Sequence, residues 1–209
     1  MDVKHHFDEH AASWDEKPER VRLATQVREA LLERVEFTPE MDVLDFGCGT
    51  GLVSLSWAGQ VKTLTGLDPS PAMLDVFMEK AGRQGLSNVQ ALEVDPDHTE
   101  DFPGHYDLVV SSMVLHHIED TAALLQKIHN VLKPGGWLYV ADLDPDDGLF
   151  HSSPDGIFHN GFDRIALGRL WEKAGFCEVS ATPATEVRKI GSNGEPRCFS
   201  VFLMGGRII

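Results

Sequence analysis

The sequence predicts a doubly wound α/β fold: a mostly parallel seven-stranded sheet with an antiparallel C-terminal hairpin. Short β-prone runs alternate with helical stretches of about ten to fifteen residues, the order in which right-handed crossovers lay helices over both faces of a parallel sheet. The first such run ends in a glycine-rich turn, and the last two are joined by a polar link with no helical periodicity. With 209 residues, 42% of them apolar, the chain has enough material for one core, so residues 1–209 are read as a single domain.

Each element has its own signature. Pro18 opens a helix on which Leu23, Val27, Ala30 and Leu31 share a face, with Arg22, Glu29 and Glu33 largely opposite. Asp42 to Phe46 is a strand, GCGTG a tight turn, and Leu52 to Ala58 a predicted helix. Thr63 to Asp68 is the second strand. Ser70 then caps a helix with Pro71 in its first turn and Leu74, Phe77, Met78 and Ala81 facing inward. Val89 to Glu93 and Asp107 to Ser111 are the third and fourth strands. Leu124, Leu125, Ile128, Val131 and Leu132 mark a helix face that Pro134, Gly135 and Gly136 close before the strand Trp137 to Ala141. A polar loop over 143–163 leads to a helix burying Leu167, Leu170, Trp171 and Ala174. The strands Glu178 to Thr182 and Cys198 to Met204 finish the sheet at its edge region.

Eighteen Lys and Arg stand against 33 Asp and Glu, a formal charge of −15 that repels phosphate backbones and anionic lipid surfaces. A small-molecule partner is expected, without nucleic acid or membrane. Three cysteines, Cys48, Cys177 and Cys198, with no CxxC pair, argue for a reducing compartment, and no apolar run approaches a secretory or membrane-spanning length. The expected location is cytoplasmic.

In open α/β sheets, ligands bind beyond the carboxyl ends of the strands, where strand order reverses. Three predicted strand ends bear chemistry. In Asp45-Phe46-Gly47-Cys48-Gly49-Thr50-Gly51 the glycines allow close approach of a ligand to the backbone. Leu52 stands where a dinucleotide fingerprint wants Gly or Ala, and Asp45 would repel a pyrophosphate but suit a cationic amine. In Gly66-Leu67-Asp68-Pro69-Ser70 the carboxylate can accept both ribose hydroxyls or, alternatively, cap the next helix. Asp95 can take an adenine amino group or belong to a plain Asp-Pro turn. Together these describe a phosphate-free nucleoside with an attached amino acid, which fits S-adenosyl-L-methionine.

The same residues resemble the class I S-adenosylmethionine-dependent methyltransferases, and within them the small UbiE-like, type 11/12 group. VLDFGCGTG (43–51) is similar to the family's first motif, TGLDPSPAML (65–74) to its second, and YDLVVSSMVLHHI (106–118) to its fourth strand and loop. LKPGG (132–136) resembles the turn before the fifth strand, and FDEHAASWD (7–15) the N-terminal segment that closes over the cofactor in many members. The likeness is close over residues 7–145 and looser over 162–204. It implies a Rossmann-like sheet and a small-molecule methyl acceptor, with residues 1–35 covering the cofactor. Asp45 and the backbone of Gly47, Cys48 and Gly49 would hold the methionine part with the Ser111 carbonyl region. Asp68, beside Pro69, would bind the ribose, Met73 would pack on adenine, Asp95 would take its amino group, and Trp14 would cover the cofactor. The family usually donates a backbone N–H from the residue after that last acid, where this chain has Pro96, which has none; Asp97 or His98 are the alternative contacts.

For chemistry the sequence offers His116 and His117 after the fourth strand, either of them a general base of near-neutral pKa or an anchor for the loop. Phe7, His151, His159 and Phe162 are the candidate acceptor contacts, and family analogy suggests an aromatic or quinone-like acceptor. The fourth-strand loop lacks the Asn-Pro-Pro-Tyr chemistry used on nucleic-acid amines, and the cysteines form no thiol relay for arsenic. Two other readings stand beside this one. A regulator could bind the cofactor without catalysing transfer, and a His/Asp metal-dependent hydrolase could use the histidines, although no HExxH spacing occurs and no metal site is expected.

Overall fold

The computed structural model describes residues 3–95 and 101–209. Seven strands, β1 (Asp42–Phe46), β2 (Thr63–Asp68), β3 (Val89–Glu93), β4 (Tyr106–Ser112), β5 (Leu132–Leu143), β6 (Cys177–Ile190) and β7 (Pro196–Arg207), form one sheet in the order β3-β2-β1-β4-β5-β7-β6. β1 to β5 pair parallel, and β7 lies antiparallel between β5 and β6. Strand order reverses between β1 and β4, so a crevice opens beyond their carboxyl ends.

Alternate residues of each strand point to opposite layers. Val43, Leu64, Leu108 and Val110 meet Val27 and Leu31 of α2 (Pro18–Leu32) and Leu74, Phe77 and Ala81 of α3 (Pro71–Arg83). Leu44, Val109, Leu138 and Val140 meet Leu125 and Ile128 of α4 (Thr121–Val131) and Trp171 of α5 (Arg164–Lys173). Three of these helices begin on side-chain caps, Ser70, Asp120 and Asp163, each accepting from backbone N–H groups that would otherwise be unpaired. A further helix, α1 (Val3–His10), and a 3₁₀ segment over Ala11–Glu16 precede α2.

β1, β2 and β3 occupy the predicted ranges; other expectations are corrected. Leu52 to Ala58 is not a helix but a series of loose turns ending in a 3₁₀ turn over Ala58–Gln60. Val53 is β-branched, the Ser56 hydroxyl bonds the Val53 carbonyl, and Trp57 is drawn down to stack on Phe37 at 4.3 Å, all of which compete with regular helix bonds. Met78 faces solvent; the inner face of α3 uses Met73 instead. The hairpin strands run well beyond 178–182 and 198–204, through what reads as a polar link; β6 lies at the sheet edge, where Pro183 is tolerated at a register shift.

Candidate active site

Beyond β1, β2 and β4 lies a cavity of about 510 Å³. Its wall includes Asp45, Gly47, Cys48, Gly49, Asp68, Pro69, Met73 and Asp95 from the strand ends and the turns after them, together with Phe7, Trp14, Met113, Val114, His117 and Phe158. A second cleft of about 490 Å³ lies between Glu33–Glu36 and the β5-β7-β6 part of the sheet; none of the candidate residues lines it.

The backbone shapes the acidic side. Gly47 has φ +71°, and a Cβ there would stand 2.3 Å from Val114 Cγ2, so the turn passes where only glycine fits. Asp68 reaches across to this turn: its Oδ2 accepts from the Gly49 N–H at 2.9 Å and its Oδ1 from the Ser70 N–H at 2.9 Å. Each oxygen retains a lone pair for a ligand hydroxyl. Burial raises the Asp68 carboxyl, and these two N–H groups oppose the rise. Asp45 is buried and raised further, to about 7: burial dominates, the Ser54 hydroxyl opposes it, and the charge of Asp68 adds to it. The Ser54 hydroxyl faces Asp45 yet closes no hydrogen bond among the described residues. A half-protonated acid beside an unsatisfied hydroxyl and a second acid suits a cationic group, as an amino-acid ammonium provides. The cavity therefore fits a nucleoside bearing an amino acid on the chemistry of its donors and acceptors. Burial also lifts the Cys48 thiol well above its usual range.

The other side depends on side chains. His117 Nδ1 lies 2.8 Å from the Gly156 carbonyl, an acceptor only, so the neutral ring carries its proton on Nδ1 and leaves the Nε2 lone pair free. Burial and the neighbouring His116 lower its pKa to about 4 rather than the expected near-neutral value. Phe7 stands edge-on to His117 at 5.5 Å and contacts Trp14 at 5.5 Å.

Several candidates lie away from the cavity wall. His116 is buried, its Nδ1 2.8 Å from Asp142 Oδ1. Burial pushes Asp142 up, but His116 and the backbone N–H groups of Leu143 and His116 outweigh it and hold the carboxyl below its usual value. His116 also accepts from the Phe158 and His159 N–H groups through its carbonyl, so it braces the loop. His151 packs behind this pair, 4.8 Å from the His116 ring, and burial lowers its pKa to about 3. The His159 ring bonds the Ile118 carbonyl and Phe162 joins the core. The loop over 143–163 reaches the cavity through Phe158. Ser111 turns its hydroxyl to the Phe46 carbonyl, and Ser112, next along the strand, lines the wall. Pro96, Asp97 and His98 lie outside the described residues. Among those described, no group of three or more His, Cys, Asp or Glu is arranged to hold a metal ion.

Sequence reasoning missed Asp8, Asp15 and Arg20. Asp8 accepts from the Ser70 hydroxyl at 2.6 Å, and Asp15 accepts from the Thr50 hydroxyl and the Lys80 ammonium, both at 2.6 Å. These bonds fasten the N-terminal segment to the glycine turn and to α3. Both acids fall within the segment FDEHAASWD (7–15), which was the available signal. Arg20, which lines the cavity, had none.

Over 149 residues the chain is 35% identical to an uncharacterized methyltransferase of Schizosaccharomyces pombe, covering 64% of this chain and 52% of that protein. Over 163 residues it is 36% identical to one from Synechocystis, covering 71% and 72%. The chain thus spans about half the length of the first of these relatives. A SAM-dependent methyltransferase from Aquifex aeolicus superposes with a TM-score of 0.69 at 19% identity, over 97% of this chain and 98% of that one, a likeness of fold. Residues 16–181 match the methyltransferase domain family, to which this chain belongs.

Proposed function

We propose that the protein transfers a methyl group from S-adenosyl-L-methionine to a small-molecule acceptor. The placement of buried Asp45 and Asp68 on the wall of a single cavity that His117, neutral with its proton on Nδ1, also lines supports this reading most directly. The bound sulfonium would supply a methyl group whose carbon–sulfur bond breaks with its electron pair going to sulfur. The chain's work is then alignment and exclusion of water. Asp45 would hold the ammonium, Asp68 the ribose hydroxyls, Met73 the adenine face and Asp95 its amino group. His117 Nε2 would take the proton released by an acceptor hydroxyl or amine, while Phe7, Trp14 and Phe158 shield the reacting atoms. The charge of −15 favours a small acceptor over a nucleic acid.

Titration with adenosylhomocysteine across pH tests this reading. Below about pH 7 the empty site holds Asp45 protonated, whereas an ammonium needs it ionised, so binding must release a proton there. The dissociation constant should rise about tenfold per unit as pH falls below 7 and level off above it. Absence of binding at every pH rejects the reading. Binding without transfer of labelled methyl to any component of a metabolite extract would leave a cofactor-binding regulator.

A further inference from the structure

We propose that Arg20 is a carboxylate receptor at the acceptor end of the cavity, and that the methyl acceptor is an apolar, ring-bearing acid. The identification of the ligand as an acceptor rests on the methyl-transfer reading above. Among the described residues lining the cavity, Arg20 is the only one with a fixed positive charge. Its guanidinium lies over the Trp14 ring, 3.4 Å from the centroid, and spends one donor on the Trp14 carbonyl at a long 3.4 Å. It makes no ion pair among the described residues. Glu19 and Asp15 act on it only at longer range, and Asp15 already serves Thr50 and Lys80. A partly buried guanidinium left in this state bears a desolvation cost that a ligand anion would offset.

A second cation, Lys189, lies within electrostatic range of it. Lys189 holds its ammonium 3.9 Å from the Phe150 centroid, makes no ion pair among the described residues, and feels Lys17 and Arg20 as like charges, with Asp146 and Glu19 the acids in range. A guanidinium fork matches a carboxylate with two parallel hydrogen bonds.

The cofactor's own carboxylate is the other source of such an anion, and the experiment below separates the two. Arg20 stands over the first ring of a continuous aromatic series, Trp14 to Phe7 to His117, which points to the acceptor. A ring lying along Phe7 with its carboxylate on Arg20 would present a hydroxyl or amine at its far end to His117 Nε2.

The test compares 4-hydroxybenzoate, 4-hydroxyphenylacetate and 3-(4-hydroxyphenyl)propanoate with their three amides, with and without adenosylhomocysteine, by ligand-observed NMR and calorimetry. The wild-type protein should bind at least one acid tenfold or more tightly than its amide. Arg20→Gln should erase that preference, Arg20→Lys should keep part of it, and Lys189→Gln should weaken it a few-fold, with adenosylhomocysteine affinity staying within about threefold throughout. No preference for any acid, or a preference that survives Arg20→Gln, overturns the proposal. So does a tenfold loss of adenosylhomocysteine affinity in Arg20→Gln without loss of acid preference, which would give the guanidinium to the cofactor. If the wild-type protein binds no adenosylhomocysteine, the methyl-transfer reading fails, while the acid–amide comparison still decides whether Arg20 receives a carboxylate.

Discussion

The acidic end of the cavity and the histidine end are built by different means. Asp45 and Asp68 stand at the tips of β1 and β2, and Asp68 is fixed by backbone N–H groups of the turns that follow those strands. The sheet sets that geometry, and it cannot shift without disturbing strand pairing. His117, Phe7, Trp14, Arg20 and Phe158 come from separate segments, held by a carbonyl bond, ring contacts and a loop braced on His116. One end is therefore rigid and general, whereas the other can change its side chains while the fold stays the same, as expected where a common fold hosts different acceptors.

The sharpest way to separate the two ends is His117→Ala. Removing a general base costs typically 10²- to 10⁴-fold in rate, so single-turnover transfer should fall by that order while adenosylhomocysteine binds within about threefold of wild type. With its pKa lowered to about 4, His117 is already in the base form at pH 6 to 9, and its own titration should leave the rate flat there and cut it only as pH approaches 4. An equal loss in cofactor affinity would show that the ends are not independent.

Asp68→Ala addresses the rigid end and should have a smaller effect. On the proposed reading it removes a ribose contact, and it unfastens Gly49, so calorimetry should show adenosylhomocysteine binding weakened by about 1.5 to 3 kcal/mol, the scale of hydrogen bonds to a charged group. Asp68→Asn, which keeps one acceptor oxygen, should lie between. Unchanged affinity in Asp68→Ala would remove this carboxylate from the site.

The same contrast explains what could be read from the sequence. DVLDFGCGTG and TGLDPS place strand, turn and acid within a few consecutive residues, so local pattern alone locates Asp45, Gly47 and Asp68. At the other end, His116 and His117 are neighbours in sequence, yet the 3₁₀ turn over Leu115–His117 sends one ring into the core against Asp142 and the other to the cavity. No periodicity distinguishes them. Of the neighbours Phe158 and His159, likewise, only Phe158 lines the cavity, because the loop's path is set by distant bonds to the His116 and Ile118 carbonyls. Arg20 reads as an ordinary polar helix position, since only the folding of residues 3–16 over the cavity gives it a ligand-facing side.

That covering segment provides the smallest of the expected effects. Asp15 joins it to the rigid end through Thr50 and Lys80, and both ion-pair partners remain partly exposed to solvent. Such a pair contributes at most about 1 kcal/mol, and the hydroxyl bond adds a similar amount. Asp15→Ala should therefore leave the association rate for adenosylhomocysteine nearly unchanged and speed its dissociation by roughly threefold to thirtyfold, followed by Trp14 fluorescence in stopped flow. Lys80→Ala should reproduce only the ion-pair share, and added salt should narrow its difference from wild type because screening weakens that share alone. If Asp15→Ala instead slows association and leaves dissociation untouched, the segment guides entry rather than retaining what has entered, and residues 3–16 then belong with the adjustable end of the cavity.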